Sequence, residues 1–595
     1  MKAAFKYLQE ILTILGEDRH KVPWMILVFW VASLLDLAGL GLITPYIGLI
    51  INPESVQGGK LGQLIDQFGL PHDQESLLVI LGISLISVFL FKVISAIGIN
   101  YIIISFSQNQ QIHLSSLLMR AYQALPYTEY LRRNSSEYIY SIHALVKYFA
   151  SGVVLNGLRT LSELIVAVMI LGLLAWHNVL ALSMLFGLLS ILIFGYDRLF
   201  RKRLRDLGKQ TNQMSTSVVQ GTHEAIEGLK EIRILGKESH FHQKVNKCVY
   251  DLAQINRLSG LITMSPRYLL ELIIIVFVVI FVTGTLFFSH NNMESLVTTI
   301  GVFGVATLRL MPSANTLISS LMQLRSQRNT VSRLYKDLVW IKKINFEAPT
   351  LISSSNPELF RNITVEHVSF RYPSMAKDAL NQISLEIRSG ESIGLIGSSG
   401  SGKTTMVDLL IGVLKPHEGQ IMFNGKSLDT CLTDWRQQVA YLPQEVFIID
   451  NSLRCNVALG LSTDEIDDSR IEEALRKARL LDMVEQLPNG YDTMLGERGV
   501  RLSGGQRQRV ALARSFYHER NVLVMDESTS ALDNETEQEI VEEIKHFKGK
   551  KTMIVISHRL STVQHCDRIY RLENGKIVES GTPDQVLNFN KMASV

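Results

Sequence analysis

The sequence predicts two unlike halves in one chain: an all-α membrane domain of six spans with long helical extensions, followed by an α/β domain of short strands and helices. Three observations predict it. Apolar runs of membrane-spanning length crowd the first half, the loops between them segregate by charge, and from Arg361 onward short apolar bursts alternate with turn residues. A chain of 595 residues exceeds one domain. The reading assigns 1–20 to an interfacial helix, 21–330 to the membrane domain, 331–360 to a linker and 361–590 to the α/β domain.

At the start, Phe5, Leu8, Ile11, Leu12 and Leu15 recur at helical spacing, with Lys6, Glu10 and Glu17 elsewhere. That pattern predicts an amphipathic helix lying on the membrane surface. No apolar core followed by a small-residue cleavage site precedes it, so no secretory signal is expected. A span needs about 20 mostly apolar residues. The candidates are Val22–Ile50, Leu77–Ser105, Leu155–Trp176, Val179–Leu199, Tyr268–Phe288 and Leu296–Ser320.

Loop charge then orients them. Ile51–Glu75, His177–Asn178 and Ser289–Ser295 hold one basic residue, Lys60, whereas the opposite side carries Arg120, Arg132, Arg133, Arg198, Arg201, Lys202, Arg203, Arg205 and Lys209. The positive-inside rule places the N-terminus, the long loops and the α/β domain in the cytoplasm. Ser107–Tyr148 and Lys202–Arg257 keep helical patterning, so the spans are expected to continue into the cytoplasm. Pro126–Ser136 and the region around Gly221–Gly228 are the expected reversal points and are read as elements that transmit motion.

Charges inside spans carry chemistry because each costs about 2.5–3.5 kcal/mol if it faces lipid. Asp36, Lys92, Glu163, Arg267, Glu271 and Arg309 are such residues. Arg267 and Glu271 sit four apart and can satisfy each other. Lys92 and Arg309 have no such local acid, so the basic set Lys92, Arg267 and Arg309 would suit a polyanionic head group, with scattered structural pairing as the rival reading. Pro266 and Pro312 would kink the last two spans.

A net charge of +3 is too small to suggest nucleic acid as a partner. Cys248, Cys431, Cys455 and Cys566 form no C-x-x-C pair or metal spacing, which fits unpaired cytosolic thiols.

The α/β half is more specific. Ser392–Ile396 is an apolar strand running into Gly397-Ser398-Ser399-Gly400-Ser401-Gly402-Lys403-Thr404, with a helix expected over Thr405–Val413. The glycines let backbone N–H groups face phosphates, the helix N-terminus adds positive charge, Lys403 reaches the outer phosphates and Thr404 ligates Mg²⁺. Val522-Leu523-Val524-Met525-Asp526-Glu527 is a buried strand ending in two carboxylates: Asp526 for the Mg²⁺ shell, Glu527 to polarise water. Between them stands Leu502-Ser503-Gly504-Gly505-Gln506 before a basic helix.

This combination resembles the ATP-binding cassette family, and the five-residue Leu502–Gln506 run is its diagnostic element. The resemblance implies ATP and Mg²⁺ as cofactors, and an antiparallel β subdomain and a helical subdomain around the P-loop core. It implies that Tyr372 stacks on adenine, that Gly397 through Thr405 cradle the phosphates, and that Gln444 senses Mg²⁺ and couples to the membrane domain. Gly496-Glu497-Arg498-Gly499 resembles the exporter-specific loop, Asp533 ends a loop crossing a dimer interface, and His558 matches the switch histidine. Family members sandwich each ATP between two cassettes, so Ser503, Gly504, Gly505 and Gln506 would serve a partner's nucleotide. One cassette per chain therefore implies a dimer. Intact Glu527 and His558 favour two copies of the same chain.

Six spans with long extensions before the cassette resemble the exporter class. More narrowly, Leu308–Asn315, Ser265–Tyr268 and the placement of Lys92 resemble the bacterial flippase for undecaprenyl-pyrophosphate-linked oligosaccharides of protein N-glycosylation. That resemblance implies a bacterial inner-membrane location and Lys92, Arg267 and Arg309 as pyrophosphate ligands. It also implies a short external helix, which Gly59–Phe68 could supply. Export of another lipid, a drug or a peptide is the main alternative. A soluble or DNA-repair ATPase is disfavoured by the six spans, and a receptor or channel with regulatory ATP binding by the complete hydrolytic set.

Overall fold

The computed structural model describes residues 2–51, 73–177, 179–288, 293–343, 358–373, 375–526, 542, 545, 547–557 and 560–588. The chain divides into two compact units, one of residues 1–125 and 133–348, the other of 126–132 and 349–595.

The first unit is all helix. Helix α1 (Lys2–Leu15) leads into α2 (Lys21–Ile51) and α3 (Gln74–Gln123). Helix α4 (Tyr127–Tyr130) belongs to the second unit by packing. Helix α5 is assembled from Ser135–Tyr140, a π turn at Ser141–Leu145, Val146–Phe149, a second π turn at Ala150–Leu155, and Asn156–His177. Then come α6 (Val179–Glu227), α7 (Leu229–Ile234), α8 (Glu238–Phe288), α9 (Met293–Ser326) and α10 (Arg328–Lys343).

Five helices among the described residues are long and apolar enough to cross a membrane. The sixth expected span, Leu296–Ser320, lies within α9, whose first side chains fall outside the described residues. At about 1.5 Å per residue, the 49 residues of α6 and 51 of α8 run roughly 75 Å, far beyond a ~30 Å hydrocarbon core. The expected extensions are therefore continuous helix.

Two boundaries in this unit differ from expectation. The second reversal falls at 228–237, after the Gly221–Gly228 expected for it. Gly228 interrupts the helix, and Gly236, at φ +61°, closes α7, with Lys237 N–H donating back to Ile232 O at 3.0 Å. Residues 331–343, expected as linker, continue as α10, because Val331, Leu334, Leu338 and Ile341 form a buried stripe at helical spacing. Helix α1 (Lys2–Leu15) is also anchored within its unit. Glu10 and Tyr7 turn inward, Glu10 pairing with Arg328 and Tyr7 Oη donating to Leu324 O at 2.9 Å, while Phe5, Leu8 and Leu12 stay exposed. Gly59–Phe68 lies outside the described residues.

The second unit holds two sheets. The antiparallel one has order β2-β1-β4-β5, with β1 Asn362–Phe370, β2 Leu380–Arg388, β4 Glu418–Phe423 and β5 Lys426–Ser427. The other has order β10-β9-β3-β8-β7-β6, with β3 Ser392–Ile396, β6 Val439–Leu442, β7 Val522–Asp526, β8 Thr552–Ile556, β9 Arg568–Glu573 and β10 Lys576–Gly581. Strands β9, β3, β8, β7 and β6 are mutually parallel. Helix α11 (Lys403–Leu410) packs between the sheets with Met406, Val407, Leu409 and Leu410 fully buried. It stops three residues short of Val413 because Gly412 takes φ +72° and Val413 N–H donates back to Asp408 O at 2.8 Å. A separate core around Leu453, Ile471, Leu475, Leu502 and Val510 joins α12 (Leu453–Val457), α13 (Asp468–Lys477), α14 (Leu481–Gln486) and α15 (Gly504–Tyr517).

Candidate functional site

The parallel sheet sets the chemistry at one edge. The phosphate loop leaves the carboxyl end of β3, Asp526 ends β7, and Gln444 follows β6. Ligands of open α/β sheets bind in the crevice beyond those ends.

The phosphate loop has the backbone its sequence requires. Gly400 and Gly402 take φ of +79° and +104°, and at Gly397, φ +152°, a Cβ would stand 2.3 Å from Leu572 O. At Gly402 a Cβ would meet Leu380 Cδ2 at 2.7 Å and Ala379 O at 2.9 Å. No larger residue fits at either position without moving neighbours. Lys403 Nζ donates to Gly397 O and Ser398 O at 3.0 Å each, curling the loop around its own ammonium. Ser401 Oγ is buried with no hydrogen-bond partner among the described residues. A cavity of about 620 Å³ opens here, lined by Tyr372, Met375, Ala376, Lys377, Ala379, Ser399 and Gly400 and by the Gly402–Thr405 turn. Tyr372 Oη lies 3.2 Å from Thr405 Oγ1, so the aromatic wall and the first turn of α11 are tied. Thr404 is exposed. A loop of positive-φ glycines, a lysine, an α11 N-terminus and a nearby aromatic fit a nucleotide polyphosphate, and Thr404 with Asp526 supplies hard oxygen ligands fit for Mg²⁺.

Asp526 is buried and accepts a hydrogen bond from Tyr441 Oη at 3.2 Å. Tyr441, on β6, has its phenol pushed upward, first by burial and then by the Asp526 charge. Asp408 is raised to about 6, chiefly by burial and secondly by Asp526. Sequence reasoning missed both. A signal existed for each: Asp408 follows Thr404 by four residues on the same helical face, and Tyr441 precedes Gln444 by three. Gln444 is exposed in the loop after β6. Glu527, Asp533 and His558 lie outside the described residues.

Ser503 caps α15. Its Oγ accepts from Gln506 N–H at 3.2 Å while Gln506 Oε1 accepts from Ser503 N–H at 2.8 Å, a closed capping box. Gly504 and Gly505 fill the first turn, whose N–H groups carry the positive end of a 14-residue helix. Leu502 anchors this turn in the α12–α15 core, whereas the residues lining the phosphate-loop cavity come from 372–379 and 399–405.

Among the membrane charges, Lys92, which has no acid at helical spacing on its own helix, finds one on a neighbouring helix. Lys92 Nζ lies 2.8 Å from Asp36 Oδ1 on α2 and 4.9 Å from the Phe89 ring centroid. The acid was invisible to local spacing because it sits 56 positions away in sequence (92 minus 36) and meets Lys92 only through α2–α3 packing. Arg267 and Glu271 pair at 3.4 Å, as their spacing predicts. Glu163 accepts from Ser313 Oγ at 2.6 Å. Arg309 lies on α9, its side chain outside the described residues. Lys92 thus stands on the α2–α3 seam, while Arg267 and Arg309 stand on α8 and α9, which pack on each other.

Comparisons with known proteins agree with this division. The profile described as ABC transporter matches residues 380–530, and that described as ABC transporter transmembrane region matches 55–309. An ATP-dependent lipid A-core flippase of Ralstonia nicotianae is 32% identical over 69% of this chain and 68% of its own length. The protein of the same name from Salmonella typhimurium is 31% identical over 74% of each chain, and that from Alkalilimnicola ehrlichii 28% over 85% of each. A solved structure of a bacterial Atm1-family ABC exporter with ATP bound superposes with a TM-score of 0.75, covering 98% of this chain and 99% of that one, at 21% identity; this likeness concerns the fold.

Proposed function

This chain belongs to the ABC transporter family as an exporter-type half-transporter that couples ATP hydrolysis to transport, and from that premise we propose that two copies flip a polyprenyl-pyrophosphate-linked oligosaccharide across the cytoplasmic membrane of a bacterium. The N-terminus and the cassette face the cytoplasm in this reading, as the basic residues of the loops require. The observation that supports the substrate assignment is the set of three cations, Lys92, Arg267 and Arg309, on membrane helices, where a charge is costly unless it serves a partner or a ligand; Lys92 and Arg267 rest on Asp36 and Glu271, which the head group would displace.

In the cassette, Lys403 and the N–H groups of the Gly397–Thr405 loop hold the phosphates, and Tyr372 stacks on the base. Thr404, Asp526 and Gln444 would hold Mg²⁺, which when bound neutralises charge on the phosphates. Glu527 orients and deprotonates the attacking water, and His558 contacts the terminal phosphate. Ser503, Gly504, Gly505 and Gln506 close on the partner's nucleotide, with Asp533 at the interface. Support for a shared site comes from the separate cores that carry the phosphate loop and the Ser503 turn.

Flipping of another lipid is the second reading, favoured by the relatives named lipid A-core flippases. Reconstituted vesicles separate the two. A lipid-pyrophosphate oligosaccharide should be flipped with ATP, and not by Glu527→Gln, which keeps ATP binding but loses turnover. Lys92→Ala and Arg309→Ala should lower flipping at least 10-fold while detergent-solubilised ATPase activity persists. If both variants flip this lipid at the wild-type rate, the pyrophosphate assignment is wrong.

A further inference from the structure

Resting on the lipid-pyrophosphate reading above, we infer that Asp36 is a specificity-determining residue: a tethered carboxylate that occupies Lys92 and yields it only to an anion with more than one negative charge. The seam is built to hold that pair. Asp36 and Gly39 stand three apart on α2, Phe89 and Lys92 three apart on α3. A Cβ at Gly39 would stand 3.2 Å from Phe89 Cε2, so the missing side chain lets the ring lie against the α2 backbone. The ammonium then rests 4.9 Å from that ring and 2.8 Å from the Asp36 carboxylate. Both side chains are largely withdrawn, Lys92 24% and Asp36 10% exposed. Lys92 is therefore a neutralised cation, held from two sides.

Exchange energetics follow from that geometry. Any anion reaching Lys92 competes with a carboxylate on the same chain, whose effective concentration is on the order of millimolar or higher. A singly charged phosphodiester head group replaces the carboxylate by an anion of equal charge and gains little. A pyrophosphate offers two phosphoryl groups, one for Lys92 and one for a second cation, so its gain exceeds that of the pair it breaks. Lysine suits exchange better than arginine here, since its point charge makes no bidentate fork with Asp36.

The test uses the full chain in lipid nanodiscs, with ATPase stimulation read against polyprenyl pyrophosphate and a polyprenyl monophosphate diester (polyprenyl-phosphoryl-hexose), whose head group carries one charge because no monoester proton remains to titrate. For the wild type, half-saturation by the pyrophosphate should come at least 10-fold lower than by the monophosphate. Asp36→Asn should narrow that ratio to within about 3-fold by improving the monophosphate. A wild-type ratio in Asp36→Asn would make the pair a permanent staple and overturn the inference, leaving the substrate reading intact. Stimulation of the wild type by neither lipid would sink the substrate reading and the inference with it. A second measurement needs no variant. Labelling of Asp36 by a hydrophobic carbodiimide, read by mass spectrometry, should rise when pyrophosphate lipid is added and stay at its resting level with monophosphate. Labelling unchanged by the pyrophosphate lipid contradicts displacement.

Discussion

Asp408 shows how one burial decides a titration. The folded chain holds its proton more tightly than the unfolded chain, with the carboxyl at about 6 against an ordinary 3.8. Stability of the nucleotide-free cassette therefore falls as pH rises from about 4 through 6 and stays lower above, by on the order of 2–3 kcal/mol. Asp408→Asn removes this penalty. Its melting temperature relative to wild type should climb between pH 4 and pH 7, whereas parallel curves would contradict the burial argument. Tyr441→Phe removes the bond to Asp526. Support of this kind behind a metal ligand is worth about 10-fold in metal affinity, so Mg²⁺-dependent nucleotide binding should weaken by about that factor, measured by fluorescence titration, with little change in Mg²⁺-free binding. At this scale the sequence displayed Gly397–Thr405, Asp526 and Ser503 because their spacing is contiguous. It hid the Asp36–Lys92 pair, which depends on helices distant in the chain, and left for Tyr441 and Asp408 only their spacing from Gln444 and Thr404, since their contacts with Asp526 join separate strands and a helix.

Elements carried more of their own evidence. The apolar runs marked the spans, and helical patterning with few breakers in Lys202–Arg257 marked the extensions, which continue the span helices up to Glu227 and from Glu238. Boundaries were less legible where a cap decides them: Gly236 moved the second reversal, and Gly412 shortened α11. Residues 331–343 looked like linker because the buried stripe of α10 has too few apolar residues to stand out. Its partners come from elsewhere. Asp337 of α10 accepts from Arg133 Nη1 at 2.9 Å and from Tyr122 Oη at 3.3 Å, and Arg133 lies over the Trp340 ring at 4.5 Å. Asp337→Ala strands a half-buried guanidinium, so the membrane unit should lose about 3–5 kcal/mol. Thermal unfolding in detergent should register this as a drop of several degrees. The double variant Arg133→Met/Asp337→Met, which strands no charge, should recover most of it; equal losses in both would show that packing rather than charge holds the seam.

At the scale of the whole molecule, the chain carries two copies' worth of logic in one sequence. The helix that follows the phosphate loop packs in the core between the two sheets, and Leu502, beside Ser503, packs in the α12–α15 core. In the proposed dimer a nucleotide sandwiched between loop and turn belongs to two cassettes at once, and its cycle of binding and hydrolysis rearranges the spans. The most direct measurement pairs two inactive chains. Lys403→Ala disables a phosphate loop and Ser503→Arg disables a turn; each homodimer should show no ATPase activity. Co-purified as a heterodimer with different affinity tags, they place both lesions in one shared site and leave the other whole. ATP occlusion at about one nucleotide per heterodimer, with partial ATPase activity, is the result predicted. No occlusion and no activity from a folded heterodimer would mean that each chain builds its site alone, contrary to this account.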